Sequence, residues 1–172
     1  PGRYARYEEI SQRIRSFFYA VTPFVEMASI DEAFLDLQGV HCITDPVAVA
    51  GALKARIRTE LGLSSSVGVA SNMFLAKLAS DLQKPDGLTV VPEDPEEIKK
   101  FLAPLPVRKI WGVGQKTGQV LESYGLKRIA DIQKTPLAVL CKLLGSSSGE
   151  HLFALSRGQD SRQVQREFVQ EK

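Results

Sequence analysis

Two adjacent acidic residues, Asp31 and Glu32, stand where two short β-stretches meet. The stretch before them, Phe24–Ala28, is apolar apart from Glu26, and the stretch after them, Phe34–Leu37, has the composition of a strand. Because consecutive strand residues point to opposite faces, the two carboxylates can share a site only if the chain bends between them. The pattern therefore predicts a β-hairpin with an acidic corner.

This acidic corner has two interpretations. Carboxylates beside an apolar sheet are costly unless a positive charge neutralises them. Mg²⁺, a hard cation that prefers oxygen ligands, does this and usually brings substrate phosphates with it. An Asp-Glu pair on its own is more often a solvated turn, so the rest of the sequence has to decide between the two.

Charge is distributed unevenly along the 172 residues, although the net charge is only +2. Residues 1–98 carry 9 basic and 14 acidic side chains, whereas residues 99–172 carry 13 basic and 6 acidic ones. This asymmetry predicts a cation site in the acidic part and a polyanion-binding face in the basic part, with chance clustering on solvated faces as the alternative.

The two cysteines lack metal-ligand spacing, which favours a reducing, intracellular setting. No apolar run of the sequence is long enough to span a membrane.

The first 91 residues predict the order α-β-β-α-β-α-β, which is typical of an α+β layer sandwich. Capping and periodicity signals place helices over 5–20, 46–61 and 72–82, and further strands over 64–70 and 88–91. The segment Pro92–Pro95 interrupts the pattern, so we expect a domain boundary there.

Beyond this boundary only helical patterns remain, over about 95–102, 115–123, 127–133, 136–144 and 149–156. Gly145–Gly149 is interpreted as a turn between the last two helices. Residues 92–158 are therefore predicted to form an all-α domain, followed by a polar linker over 159–172. The single tryptophan, Trp111, is expected to pack in the core of the helical domain.

A glycine-containing hairpin is the feature of the helical part that predicts binding of phosphate groups. Gly112 and Gly114 flank Val113, and a helix starts directly after them, which brings backbone N–H groups to the surface at a helix N-terminus. Phosphate oxygens suit that geometry, and Lys116 and Thr117 add a positive charge and a hydroxyl donor. The hairpin resembles the helix-hairpin-helix motif, which grips the DNA backbone without reading bases, whereas an ordinary tight turn is the alternative.

The run Ser66–Leu88, which ends in the turn Lys84-Pro85-Asp86-Gly87 and the following leucine, is more specific. Together with Ser29–Leu37 and Ile110–Gly114, it resembles the Y-family translesion DNA polymerases, with the bacterial DinB (DNA polymerase IV) type as the most similar subgroup. The three motifs stand in the order that the family has and cover nearly the whole chain.

The resemblance implies a palm in residues 1–91, an incomplete ferredoxin-like sandwich, and a helical thumb in residues 92–158. It implies that Asp31 binds catalytic Mg²⁺ and that Glu32 is catalytic and helps to hold the second of two metal ions and the primer terminus. Lys84 is implied to contact the triphosphate of the incoming dNTP.

The resemblance also implies that Asp81, one helical turn before Lys84, helps to orient the nucleotide site. The implied partners are primer-template DNA, dNTP and a sliding clamp that binds a C-terminal segment. The implied location is the bacterial cytoplasm, at the nucleoid.

The chain also departs from the family pattern. Y-family members carry an N-terminal strand with another metal-binding Asp, an aromatic residue that excludes ribonucleotides, a fingers subdomain, and a C-terminal little finger with a clamp-binding tail. The sequence contains none of these, so we expect an interior fragment or a truncated homologue that binds Mg²⁺ weakly and does not polymerise nucleotides alone. The incomplete palm sheet is expected to expose an edge through which the chain can self-associate.

Three functions are compatible with these features to different degrees. The first is a low-fidelity DNA-directed DNA polymerase that uses two-metal phosphoryl transfer. The alternative is a non-catalytic helix-hairpin-helix module with the acidic part as its scaffold. A nucleotide cyclase, which shares a palm-like fold, is disfavoured by the Lys84–Gly87 turn and by the appended helical part.

Overall fold

The protein is described by a computed structural model over residues 4–40, 43 and 45–165. The helices and strands of this part follow in the order α1 (Tyr4–Tyr19), β1 (Val25–Met27), β2 (Ala33–Leu35), α2 (Pro46–Leu61), β3 (Val67–Val69), α3 (Met73–Leu82), β4 (Leu88–Val90), α4 (Pro95–Leu102), a 3₁₀ turn (Val107–Lys109), α5 (Gln115–Ser123), α6 (Ile129–Lys134), α7 (Leu137–Leu144) and α8 (Ser146–Leu155). Strand β1 pairs antiparallel with β2, and β3 pairs with β4. None of the described helices is both long and apolar enough to cross a membrane.

Helix boundaries in the first part follow local signals in the sequence. The Asp45 side chain accepts hydrogen bonds from the backbone N–H groups at the start of α2, Pro46 is its first residue, and Gly62 ends it with a φ of 67°. The amide oxygen of Asn72 accepts a hydrogen bond of 3.0 Å from the N–H of Leu75, which caps α3 as predicted.

The described residues form two compact units. One contains the described residues of 4–67 together with 83–88 and 162–165, and the other contains 68–82 and 89–161. In the first unit, Phe17 of α1 is buried and the guanidinium of Arg56 on α2 lies 3.9 Å from the centre of its ring.

The second unit has one apolar core, to which α3 and the helices from α4 onward contribute. Its fully buried members include Phe74, Leu75, Ala79, Leu102, Val107, Leu121, Ile129, Ile132 and Leu140. The N-terminus of α3 is tied to the end of the helical part, because the Asn72 side chain donates to the carbonyl of Gly158 at 2.8 Å and Phe74 N–H donates to Asp160 at 3.0 Å. Helix α3 therefore clusters with the helical part, and the boundary expected after residue 91 remains a prediction about palm and thumb.

The interpretation of Gly145–Gly149 as a turn between helices was wrong. Helix α8 begins at Ser146, and only Gly145, with a φ of 85°, turns the chain. Gly149 lies inside α8 where it meets α7, and a Cβ there would be 2.6 Å from the Cα of Cys141. This glycine permits two helices to approach closely, a long-range requirement that local sequence composition does not reveal.

Of the predicted polar linker over 159–172, the structure describes residues 159–165, and residues 166–172 lie outside the described part.

Candidate active site and nucleic-acid interface

The acidic corner lies in the loop of the β1–β2 hairpin. Met27 and Ala33 are the last paired residues, and the carbonyl of Glu32 accepts hydrogen bonds from the N–H groups of Ala28 at 2.9 Å and Ser29 at 3.2 Å. The chain therefore bends between the strands and carries the two acidic residues at the corner, as the sequence predicts.

Contacts within the loop and from α1 fix this corner. The Ser29 hydroxyl donates to Oδ1 of Asp31 at 2.5 Å, which holds the carboxylate in one orientation. The Ser11 hydroxyl of α1 donates to the carbonyl of Ile30 at 2.6 Å, so the helix anchors the loop. Asp31 is exposed, and Glu32 is partly buried.

The corner supplies oxygen donors of the kind that Mg²⁺ prefers. Within the described residues no group of three or more His, Cys, Asp or Glu side chains converges as a metal site. Mg²⁺, however, is commonly bound by one or two carboxylates together with waters and substrate phosphates. The donor set of Asp31 and Glu32 fits that mode of binding.

Lys84 is exposed in a turn that is held in place by two charged side chains of α2, Lys54 and Arg58, which we call the buttress. Lys54 of α2 donates through Nζ to Oδ1 of Asp86 at 2.7 Å and to the carbonyl of Ser65. Arg58, one helical turn further along, lies 3.1 Å from the other oxygen of Asp86. The buttress therefore holds the turn at Asp86, which is two residues after Lys84.

Sequence reasoning missed this buttress. Asp86 adopts a φ of 64°, a conformation that Asp tolerates better than most residues, and Gly87 donates its N–H to the Ser66 hydroxyl at 3.2 Å. The signal available in the sequence was a pair of cations, Lys54 and Arg58, four residues apart on one helix face. Only the fold shows that the turn is what they meet.

We expect the buttress to make stability depend on pH. The hydrogen bond from Lys54, with a further contribution from Arg58, lowers the pKa of Asp86 below its usual value. A lowered pKa stabilises the fold above the unfolded-state value of about 3.9, and that stabilisation is lost as the pH falls through the folded-state value.

The measurement is the unfolding free energy of the wild type and of Asp86→Asn between about pH 2 and pH 7, where acidic groups titrate. Asn also tolerates a positive φ, so the substitution removes mainly the charge. The difference between the two proteins should be largest near neutral pH and should shrink in acid. A difference that does not change with pH would contradict this role of Asp86.

Asp81 forms an ion pair along its own helix. Its Oδ2 lies 3.4 Å from Nζ of Lys77, four residues earlier on α3, and both side chains are about 30% exposed. Asp81 belongs to the second compact unit and Lys84 to the first. An orienting role of Asp81 toward the nucleotide site stays a prediction.

The glycine hairpin connects the 3₁₀ turn to α5. Gly112 has a φ of 90°, which only glycine adopts readily, and Val113 donates its N–H to the carbonyl of Ile110 at 3.0 Å. Gly114 is the N-cap of α5 and provides no side chain to cap it. Because the first N–H groups of a helix have no partners within the helix, this end can accept an anion.

An ion pair holds the two sides of the hairpin together. Arg108 of the 3₁₀ turn donates to both carboxylate oxygens of Glu122 on α5, at 2.6 and 2.9 Å, and this hydrogen bonding lowers the pKa of Glu122. Gly118 is buried beneath Arg108, where a Cβ would be 3.0 Å from the guanidinium carbon. Lys116 is exposed and Thr117 partly exposed on the first turn of α5.

Trp111 does not pack in the core, so that expectation was wrong. Trp111 is 37% exposed, whereas the preceding Ile110 is only 2% exposed. Ile110 has an extended backbone conformation, and neighbouring residues of an extended segment point to opposite sides. The inward position is therefore filled by Ile110, which turns Trp111 outward.

Comparison with known proteins identifies the family. A sequence model of the impB/mucB/samB family matches residues 1–81, and a model of the helix-hairpin-helix (HHH) motif of the same family matches residues 95–126. The curated relatives include DNA polymerase IV of Desulfatibacillum aliphaticivorans, 40% identical over 96% of this chain and 41% of the relative. DNA polymerase IV of Cronobacter sakazakii is 43% identical over 95% of this chain and 46% of the relative. The chain belongs to the Y family of DNA polymerases.

Solved structures agree with the Y-family assignment. The crystal structure of DinB from Sulfolobus solfataricus superposes with a TM-score of 0.84 at 32% identity, covering 96% of this chain and 49% of that one. An insertion ternary complex of Dbh DNA polymerase gives a TM-score of 0.83 at 31% identity, covering 95% and 48%. The chain thus spans about half the length of these structures and less than half that of the curated relatives.

The comparisons confirm the predicted Y-family resemblance and the helix-hairpin-helix. The mixed α/β fold is also confirmed, since the described residues form two small sheets and a series of helices. The roles of Asp31, Glu32 and Lys84, and of the hairpin residues one by one, remain predictions.

Proposed function

We propose that this chain provides the metal-binding and DNA-backbone-binding parts of a DNA-directed DNA polymerase of the translesion type, which adds dNTPs to a primer. The observation that carries the proposal is the acidic hairpin corner, anchored by α1, in a chain whose relatives are named DNA polymerase IV.

In this proposal Asp31 and Glu32 hold Mg²⁺, with two ions in the complete site. When bound, the metal ions neutralise charge on the phosphates and orient the attacking and leaving oxygens. The chain contributes a fixed carboxylate, because Ser29 holds Asp31 in one orientation, and the partly buried Glu32 stands next to it. A pre-oriented donor saves the cost of ordering it during the reaction.

Lys84 would bind the triphosphate of the incoming nucleotide. Its turn is held through Asp86 by Lys54 and Arg58, so its backbone is fixed before the nucleotide arrives. An exposed ammonium group on a rigid turn can neutralise phosphate charge and position the leaving pyrophosphate.

The glycine hairpin would grip the phosphate backbone of the DNA. The uncapped N-terminus of α5 offers backbone N–H donors, and the exposed Lys116 and the Thr117 hydroxyl extend the surface. Such contacts carry no base information, so affinity should depend on salt and hardly on sequence. Primer-template DNA is the partner that this chemistry fits.

A non-catalytic DNA-binding module is the less favoured alternative. It would use the hairpin alone, whereas the family models match both the part with the acidic corner and the part with the hairpin. A serine anchor and an oriented carboxylate at the corner are also unnecessary for a scaffold.

The proposal extends to the polymerase's surroundings. We place its action at the nucleoid in the cytoplasm, with a sliding clamp as a further partner. In the part of the chain that the structure describes, the β1–β2 sheet has two strands, so its outer edges offer hydrogen-bonding groups for self-association. Light scattering at rising concentration should show a mass above that of one chain, and a constant single-chain mass would contradict the edge contact.

The test of the proposed function is templated nucleotide addition by the gene product that carries this sequence. A primer is annealed to four templates that differ in the next base, and each is supplied with one dNTP at a time in the presence of Mg²⁺. We expect addition mainly of the complementary nucleotide, with frequent errors. DNA binding without addition on any template would instead favour the module.

A further inference from the structure

Trp111 is an exposed aromatic residue that the proposed function does not use. It is the single tryptophan of the chain, and the residue is 37% exposed at the edge of the glycine hairpin. It directly precedes Gly112, whose φ of 90° turns the backbone toward the N-terminus of α5. Trp111 is thus an exposed aromatic residue close in sequence to the N–H groups of α5 that we propose to bind phosphate.

Trp111 lines two depressions of the second unit. A groove of about 540 Å³ is lined by Trp111, the hairpin glycines, the 3₁₀ turn and residues of α3 that include Lys77 and Asp81. A smaller depression of about 100 Å³ is lined by Trp111, Thr117 and His151. Trp111 therefore contributes to the lining of both depressions.

The charges around Trp111 favour a polyanion. Within the groove, Lys77 pairs with Asp81, and Arg108 is neutralised by Glu122. Two further cations, Lys109 before the indole and Lys116 after it, are exposed and form no ion pair in the part of the chain that the structure describes. The net positive charge beside the ring therefore comes from residues that are available to phosphate.

We propose that Trp111 packs against a nucleotide of the DNA strand whose phosphates the hairpin holds. This inference rests on the DNA binding proposed above and adds a contact of another kind. Stacking on a base tolerates any sequence, because every base has an aromatic face. It neutralises no phosphate, so this contact itself depends little on salt. The hairpin would then hold DNA through phosphates and through one nucleotide face, rather than through phosphates alone.

The single tryptophan allows a direct test, since its intrinsic fluorescence reports on this one side chain. The probe is a primer-template duplex of mixed sequence with a single-stranded overhang, and its binding is followed independently by the anisotropy of a dye on the DNA. We expect binding to change the Trp111 emission and to reduce its quenching by acrylamide, with the same midpoint as the anisotropy curve.

Variants separate stacking from charge. Trp111→Ala should weaken binding by roughly tenfold, in the range seen when a stacking aromatic residue is replaced, and Trp111→Phe should restore most of the affinity. Trp111→Ala should leave the dependence of affinity on salt unchanged, whereas Lys116→Ala should reduce the slope by about one ion. Tyr124→Ala, at the opposite end of α5 and 65% exposed, is the matched aromatic control and should have no effect.

The outcomes distinguish this inference from the proposed function. If the DNA binds while the emission and the quenching of Trp111 stay unchanged, the stacking inference is wrong and the phosphate grip stands. If Trp111→Ala lowers affinity only as much as Tyr124→Ala does, the inference is also wrong. If no DNA binds in low salt, both the inference and the proposed DNA grip fail.

Discussion

Asp31→Asn is expected to lower the rate of nucleotide addition by the gene product that carries this sequence by about a thousandfold or more. The substitution removes a carboxylate that the proposal assigns to Mg²⁺, and transition-state charge stabilisation by such ions contributes several kcal/mol. Glu32→Gln should also lower the rate of nucleotide addition. Single-turnover addition of one dNTP measures the effect on the chemical step, and DNA binding in the same samples shows whether the variant is folded.

The matched control for Asp31→Asn is Glu26→Gln on strand β1 of the same hairpin. Glu26 accepts the N–H of Gln165 at 2.7 Å, an interaction that glutamine can preserve, and it lies opposite Phe34 rather than at the corner. Glu26→Gln should retain a rate of nucleotide addition close to that of the wild type. Equal activity of Asp31→Asn and Glu26→Gln would show that the corner is not the metal site.

Gly68→Ala is expected to destabilise the second unit by about 3 kcal/mol or more, which is the upper end for overpacked positions. Gly68 is the middle residue of β3, and a Cβ there would be 2.1 Å from the carbonyl oxygen of Ala76 and 2.7 Å from the backbone nitrogen of Ser80. Backbone atoms of α3 cannot rotate away as a side chain could, so the strand and the helix would have to separate.

Gly51→Ala is the matched control for this substitution. Gly51 lies in the interior of α2, and a Cβ there would have no atom within 4 Å. Because alanine is a better helix former than glycine, this variant should gain about 0.5–1 kcal/mol. Urea unfolding of the wild type and of both variants measures the two changes in unfolding free energy. A Gly68→Ala variant as stable as the wild type would mean that β3 and α3 do not approach as closely as the structure shows.

Local signals in the sequence were sufficient for much of the fold. Asp45, Pro46 and Gly62 determine the ends of α2 through capping and backbone conformation, and the bounds of α4 and α5 match those predicted. The corner at Asp31 and Glu32 and the hairpin at Gly112 could also be predicted, because a bend between strands and a positive φ both depend on neighbouring residues.

Features that depend on distant residues could not be predicted in this way. The role of Gly149 follows from the approach of α7, and the exposure of Trp111 follows from Ile110 taking the inward position. The buttress of Lys54 and Arg58 on Asp86 joins residues about 30 apart in the sequence, since Lys54 and Asp86 are separated by 32 positions. Capping and periodicity contain no information on such pairs.

The most direct measurement of the central claim is the position of a bound divalent cation on this chain. Mn²⁺ is an oxygen-preferring, paramagnetic substitute for Mg²⁺, and it broadens the NMR signals of nearby backbone amides even when it binds weakly. The account predicts selective broadening over residues 28–33 in the wild type, strongly reduced in Asp31→Asn. Broadening confined to the other acidic stretch, Glu93–Glu97, or unchanged by Asp31→Asn, would contradict the assignment of the acidic corner as the metal site.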